Sequence, residues 1–128
     1  MNVAVLGASN KTDRYSFKAV RMLREKGHVP YPVHPALAAV DGIPAWTSLR
    51  AIPEPIDTVT VYLSARNQEA IANDLLGGGA RRVIFNPGAE NPELAEQLRQ
   101  RGKEVLEACT LVLLSTGQFA RPAAEAAT

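Results

Sequence analysis

The apolar residues of this chain form short runs that alternate with stretches of helical spacing. The first run, Val3–Gly7, holds no polar side chain and predicts a buried strand. Small residues follow it, and a helix is predicted from about Asp13 to Lys26, because apolar residues recur there at helical spacing: Phe17, Val20 and Leu23. We expect Thr12 or Asp13 to cap the start of this helix and Gly27 to end it.

Four further strands and three further helices are predicted along the rest of the chain. The strands are Val29–Val33, Asp57–Leu63, Arg82–Phe85 and Glu104–Leu106. The helices are a short one near Ser48–Ala51, one over Ala65–Leu76 that Ser64 caps, and one that starts at Asn91-Pro92-Glu93 and stops at Gly102. The connection Ala36–Pro55 is otherwise irregular with a short edge strand, and Leu111–Leu114 is a closing helix or strand.

This alternation of strands and helices predicts an α/β fold: a single Rossmann-like doubly wound domain over residues 1–119, followed by a flexible Ala-rich tail over 120–128. The predicted sheet has five strands, mainly parallel, in the order 3-2-1-4-5, with helices on both faces. Pro30 and Pro32 are awkward for the second strand in that central position, because proline donates no ladder hydrogen bond. Ligands of such folds bind at the carboxyl ends of the strands, here at a switch point between strands one and four.

Composition narrows the function classes. The chain has 128 residues and a formal net charge of +1, so no overall field attracts nucleic acid or an anionic membrane. One cysteine and two histidines favour neither a disulfide nor a dedicated metal site. The first strand leaves no room for a signal peptide, and no apolar run approaches a membrane span of about 20 residues. We therefore expect a cytoplasmic protein with a small-molecule ligand and no bound metal.

The turn after the first strand is the candidate binding site. A strand, a small-residue turn and a helix N-terminus form a place for a phosphate, because free backbone N–H groups and the helix dipole both favour an anion. Lys11 and Arg14 lie close by and suit a pyrophosphate, with room for an extra phosphate. The alternative is that both are solvated surface charges, and the residues alone leave the two interpretations about even.

Known nucleotide motifs match this turn only in part. The dinucleotide fingerprint needs glycines at positions 7, 9 and 12, where this chain has Gly7, Ser9 and Thr12. An acidic residue at the end of strand two is also missing, which argues against NAD. Asn10 replaces the glycine of the Walker pattern, and the loop is too short for it. No Ser/His/Asp arrangement is visible around Ser9, so we assign no catalytic residue.

Three segments together resemble the stand-alone CoA-binding proteins, which are related to the nucleotide-binding domain of the succinyl-CoA synthetase alpha subunit. They are Val5–Lys11, Pro32–Pro35 and Asn86–Asn91, and the resemblance covers about residues 2–114. It implies that the chain binds coenzyme A or an acyl-CoA. The synthetase's phosphorylated histidine lies in another domain, so the resemblance does not imply acyl-CoA synthesis.

The resemblance also implies a role for each segment of the site. The phosphate contacts would be Gly7, Ala8, Ser9, Lys11 and Arg14. The adenosine wall would be His34, Pro35, Tyr62, Leu63 and Ser64, and the pantetheine side would be Asn86, Pro87 and Gly88. His34 departs from the family pattern, because the family usually has Asn at this position. A histidine side chain can also donate or accept a hydrogen bond, but protonation of the ring would change that bond.

Two functions of different classes remain open. The first is a non-catalytic binding module for CoA or an acyl-CoA, either as a homo-oligomer or as a subunit of a partner enzyme. The second is an NAD(P)-dependent oxidoreductase or epimerase, which the fold permits.

Cys109 is either a thiol near the CoA thiol or, as we favour, a buried small hydrophobe. Glu90 either orients a substrate or marks a helix start, His28 is expected to be structural, and Arg81-Arg82 is expected to be solvated.

Overall fold

The computed structural model describes residues 1–120, so the predicted flexible tail over 120–128 lies outside the described residues except for Ala120. Its strands are β1 (Asn2–Leu6), β2 (Val29–Val33), β3 (Ala39–Val40), β4 (Ile43–Pro44), β5 (Thr58–Val61), β6 (Arg82–Phe85) and β7 (Glu104–Glu107). Its α-helices are α1 (Tyr15–Glu25), α2 (Ala72–Gly77), α3 (Pro92–Gln100) and α4 (Thr110–Ser115). Two 3₁₀ helices cover Leu49–Ala51 and Ala65–Ile71. The predicted α/β class is confirmed.

The main sheet is parallel and has the order β2-β1-β5-β6-β7. In the numbering of the five predicted strands this is 2-1-3-4-5, so the predicted order 3-2-1-4-5 is wrong. The third predicted strand, β5, pairs with β1 on the side away from β2. The connection from β2 to β5 crosses over β1, and the switch point therefore lies between β1 and β5.

The two prolines of β2 explain this order. The N–H of Val29 donates to Met1 O, so Val29, Tyr31 and Val33 face β1 in the ladder. Pro30 and Pro32 alternate with them and face outward, where the carbonyl of Pro32 accepts from the N–H of Trp46. The ladder with β1 therefore keeps all its N–H donors. A strand on the outer side of β2 would find no N–H donor at Pro30 or Pro32. The chain therefore places β2 at the edge.

The segment between β2 and β5 contains the predicted short edge strand and short helix. The edge strand is one arm of the antiparallel pair β3–β4, joined by a two-residue turn at Asp41 and Gly42, both with positive φ. The short helix is the 3₁₀ helix Leu49–Ala51, and the hydroxyl of Ser48 accepts from Ala51 N at 3.2 Å.

Both faces of the sheet are covered. Side chains such as Val3, Val5 and Ile84 pack under α1 and α4, while Val59 and Val83 belong to the core on the opposite face. Every residue of β5 and β6 is buried, as expected for inner strands of a parallel sheet. No helix among residues 1–120 is long and apolar enough to cross a membrane.

Two predicted helices differ from the structure in their bounds. Helix α1 begins at Tyr15, and Arg14 is its N-cap residue without a side-chain cap, so neither Thr12 nor Asp13 caps it. The predicted helix over Ala65–Leu76 is a 3₁₀ helix up to Ile71 and α-helical only as α2. The prediction for α3 is confirmed, since Asn91 caps it through Leu94 N at 3.1 Å.

Arg82 is not solvated as predicted. Only 3% of it is exposed, because it faces the amino end of the sheet and donates to Thr58 Oγ1 at 3.0 Å and to Phe119 O at 2.8 Å. The Phe119 ring lies 4.6 Å from the Arg82 guanidinium and contacts the His28 ring edge-on. Arg81 does remain at the surface, where it pairs with Asp57 at 2.7 Å.

We expect His28 to make stability pH-dependent. Burial lowers the pKa of His28 below 6.5, and the positive charges of the N-terminus and Arg82 lower it further against the opposing effect of Asp57. The unfolded chain then binds the proton more readily, so this contribution to stability is present above about pH 6.5 and is lost as the pH falls below it. Urea unfolding between pH 7.5 and 5.5 should show a smaller loss for His28→Gln than for the wild type; equal losses would contradict this assignment.

Candidate functional site

A cleft of about 950 Å³ opens at the carboxyl ends of β1 and β5, at the switch point. Nine of the predicted site residues line it: Gly7, Ala8, Ser9, Lys11, Arg14, His34, Tyr62, Leu63 and Pro87. Four do not: Pro35, Ser64, Asn86 and Gly88. The volume suits a small-molecule or cofactor site of ordinary size.

The floor of the cleft is the turn at Gly7. Gly7 has φ +83°, and an added Cβ would lie 3.2 Å from the Leu63 side chain and 3.3 Å from Leu63 N. Both the conformation and the close approach of the loop after β5 therefore require glycine. The N–H of Ala8 donates to Val33 O at 3.3 Å, which joins the turn to the end of β2.

The loop between Gly7 and α1 is folded by its own polar groups. Ser9 Oγ accepts from Lys11 N at 3.0 Å, and Lys11 O accepts from Arg14 N at 3.0 Å. Asn10 attaches the loop to the β3–β4 hairpin, donating to Ala39 O at 2.8 Å and accepting from Asp41 N at 3.2 Å. The hairpin therefore holds the loop in place without filling the cleft.

Among residues 1–120, three cations line the cleft: Lys11, Arg14 and Lys18. All three are exposed, and none forms an ion pair with any residue between positions 1 and 120. Asp13 also lines the cleft, so its formal charge is three positive minus one negative, or +2. The first turn of α1 carries no acidic residue, although the helix dipole favours one there. An anion in the cleft would supply the missing negative charge.

His34 replaces the Asn of the resembling family and still acts as an acceptor. Its Nδ1 lies 2.9 Å from Ala36 N and 3.2 Å from Leu37 N, and both N–H groups donate to it. This geometry needs a lone pair on Nδ1, so the neutral ring carries its proton on Nε2. The side chain thus shapes the turn after β2 much as an Asn side chain does.

Tyr62 forms part of the cleft wall with its hydroxyl turned inward. The hydroxyl oxygen is buried and has no hydrogen-bond partner in the described part of the chain. Burial raises the pKa of Tyr62 to about 12, and the nearby hydroxyls of Thr60 and Thr110 offset this only in part. The phenol therefore stays neutral at physiological pH.

Asn86 is buried and does not line the cleft, and the ligand contact expected of it stays a prediction. It is 2% exposed, and its Nδ2 donates to Thr60 Oγ1 at 2.7 Å and to Val61 O at 2.9 Å. Its Oδ1 accepts from Thr110 N at 2.8 Å, where α4 begins. Asn86 therefore joins β5, β6 and α4 beneath the cleft and supports the site from below.

A second buried amide was not predicted at all. Gln68 is 1% exposed and donates to Leu63 O at 2.8 Å and to Ala89 O at 2.6 Å. Its Oε1 accepts from Asn91 Nδ2 at 2.9 Å. These bonds join the loop after β5 to the loop after β6. Nothing in the spacing of Gln68 distinguishes it from an exposed helix residue.

Several lining residues were also missed, most clearly Tyr15 and Lys18. Tyr15 is 64% exposed, and Lys18 Nζ lies 5.5 Å from the centre of its ring. The remaining lining residues outside the prediction are Asn10, Asp13, Ser16 and Leu37. Lys18 follows Arg14 by four residues and lies in the first turn of α1, so its place beside the cleft depends on where the helix begins.

The other chemical candidates lie away from the cleft lining. Cys109 is half-buried at the residue before α4, neither fully buried nor among the residues that line the cleft. Glu90 accepts from Gly88 N at 2.9 Å, which makes it part of the loop's own structure. Residues 1–120 contain no group of three or more His, Cys, Asp or Glu side chains able to hold a metal ion.

A smaller depression of about 240 Å³ lies near the amino ends of β5 and β6, where Ile56 and Ala80 line it. Arg50 is its cation, and it already pairs with Asp74 at 3.4 Å. Because its charge is compensated within the fold, this depression lacks the unpaired cations that distinguish the cleft above Gly7.

The chain is similar to several known proteins. YneT of Bacillus subtilis (strain 168), an uncharacterized protein, is 29% identical over 104 residues, which are 81% of this chain and 77% of YneT. The crystal structure of another uncharacterized protein is 41% identical with a TM-score of 0.86, covering 92% of this chain and 97% of that one. The acetyl-coenzyme A synthetase 1 of Ca. Korarchaeum cryptofilum, 20% identical with a TM-score of 0.71, matches 84% of this chain and 25% of its own, and shares the fold. The family model for the CoA binding domain matches residues 1–115, and the chain belongs to that family.

Proposed function

We propose that this chain binds coenzyme A or an acyl-CoA in the cleft above Gly7, as a non-catalytic binding module. Membership of the CoA binding domain family supports the ligand class. One observation carries the proposal: three unpaired cations, a glycine turn and the N-terminus of α1 meet at the switch point of a parallel sheet. At such a site, backbone N–H groups and positively charged side chains can both bind a diphosphate.

The lining favours binding over chemistry. Ser9 and His34 both line the cleft, but Ser9 Oγ and His34 Nδ1 each accept from backbone N–H groups. Neither side chain activates the other, as a nucleophile and its base would require. Within this proposal the chain is a cytoplasmic binding module that works as a homo-oligomer or with a partner enzyme.

Thermal unfolding with a panel of nucleotides tests the proposal. CoA, acetyl-CoA, dephospho-CoA, NAD, NADPH and ATP are compared at one concentration. A ligand at 100 times its dissociation constant stabilises the fold by about 2.7 kcal/mol, or several degrees for a domain of this size. A shift with CoA and acetyl-CoA is expected. A shift with NADPH alone would favour the oxidoreductase alternative, and no shift with any nucleotide would overturn CoA binding.

Variants of the loop cations locate the site. Lys11→Gln and Arg14→Gln should each weaken CoA binding roughly tenfold or more, because each removes a charge-assisted contact with a phosphate. Both residues are exposed and unpaired, so the melting temperature without ligand should barely change. Lys26→Gln, at the far end of α1, is the matched control and should bind CoA as the wild type does.

A further inference from the structure

Arg14 and Lys18 are two cations at the start of α1. The N–H of Lys18 donates to Arg14 O at 3.1 Å, so Lys18 lies in the first turn after Arg14, the N-cap residue. Cations near a helix N-terminus oppose the helix dipole and cost stability. No carboxylate in residues 1–120 forms an ion pair with either, whereas Arg21 of the same helix pairs with Asp41 at 3.1 Å.

Tyr15 fixes the position of Lys18 at the mouth of the cleft. Tyr15 is the first residue of α1, and its ring is largely in solvent with Lys18 Nζ 5.5 Å from the ring centre. A cation within about 6 Å of the centre of an aromatic ring is attracted to its face, which biases the rotamer of Lys18. On the cleft wall, the ammonium group of Lys18 therefore lies over the ring of Tyr15.

Among residues 1–120, no other lysine or arginine lines the cleft. The lining from the ends of β2, β5 and β6 consists of His34, Leu37, Tyr62, Leu63 and Pro87, none of them a lysine or arginine. Lys11 and Arg14 adjoin the glycine turn and the N-terminus of α1, which suit a diphosphate. Lys18 lies one turn further along α1 than the helix N-terminus. Its positive charge is therefore available for an anionic group other than the diphosphate.

We propose that Lys18, positioned by Tyr15, selects ligands that carry a phosphate on the ribose in addition to the diphosphate. This inference rests on the proposed function, since it names the residue by which the same cleft distinguishes CoA from dephospho-CoA. Arg14 and Lys18 together then hold two phosphate groups whose negative charge relieves their mutual repulsion.

Calorimetric titration of the wild type and Lys18→Gln with CoA and with dephospho-CoA tests the inference. The wild type should prefer CoA by roughly ten- to hundredfold, the effect of one charge-assisted contact. Lys18→Gln should lose most of that preference while its affinity for dephospho-CoA stays the same. Tyr15→Leu should lose part of it, because the ring no longer positions the ammonium group, and Lys26→Gln should keep the full preference.

Each contrary outcome is distinct. If the wild type prefers CoA and Lys18→Gln keeps that preference, the assignment to Lys18 is overturned while the proposed function stands. Equal losses for both ligands in Lys18→Gln would also overturn it, because they would indicate a contact with the diphosphate. If the wild type binds neither ligand, the proposed function falls and the inference falls with it.

Discussion

Replacing Gly7 by alanine is expected to destabilise the fold by roughly 2–5 kcal/mol and to abolish ligand binding. The φ of +83° costs an alanine about 1–2 kcal/mol. The new Cβ would also lie 3.2–3.3 Å from the side chain and backbone nitrogen of Leu63, so Leu63 must shift by a few tenths of an ångström. Chemical unfolding of the two proteins measures the loss, and titration with CoA measures the effect on binding.

Gly102 provides the matched control for this prediction. It follows α3 with φ +81°, but an added Cβ there would meet no heavy atom within 4 Å. Gly102→Ala should therefore show only the conformational cost of about 1–2 kcal/mol and should bind CoA as the wild type does. Equal destabilisation by the two substitutions would contradict the importance of the contact with Leu63.

Replacing Asn86 by leucine is expected to cost roughly 3–5 kcal/mol of stability, although the two side chains are similar in size. The substitution removes three hydrogen bonds at a position that is 2% exposed. It also leaves the N–H of Thr110 and one bond of Val61 O without their partner inside the protein. Urea unfolding should show a large fall in the midpoint with an unchanged slope.

Asn73, an exposed residue of α2, is the control for Asn86. Asn73→Leu should change stability by no more than about 0.5 kcal/mol, as exposed substitutions usually do. If Asn86→Leu proved as mild as Asn73→Leu, the role of Asn86 beneath the cleft would be wrong. A stable Asn86→Leu protein that loses only CoA binding would restore the direct ligand contact expected from its sequence position.

The sequence predicted the elements of this fold better than their arrangement. The strands Val29–Val33 and Arg82–Phe85 match the structure residue for residue, because runs of β-branched and aromatic residues end at clear breaks. The order of the strands was missed because pairing depends on contacts between distant segments. The two prolines of β2 were nevertheless a usable signal, since their missing N–H groups disfavour a continuous strand on the outer side of β2.

The candidate site shows the same division. The turn at Gly7 was predicted because a glycine after a buried strand is a local pattern. Tyr15 and Lys18 were missed because their place on the cleft wall depends on where α1 begins, which proved to be after Arg14. Asn86 and Gln68 could not be told from surface amides by type, because only the packed structure shows that their partners are buried carbonyl and hydroxyl groups.

The outward-facing prolines of β2 also bear on how copies of this chain behave at high concentration. An exposed strand edge invites pairing with a strand of another molecule, and such pairing is a first step toward aggregation. Along β2, Pro30 and Pro32 present no N–H outward, and the backbone of Trp46 already bonds to Pro32 O and His34 N. A strand of another molecule therefore finds few free backbone groups along β2, and this edge resists intermolecular sheet growth.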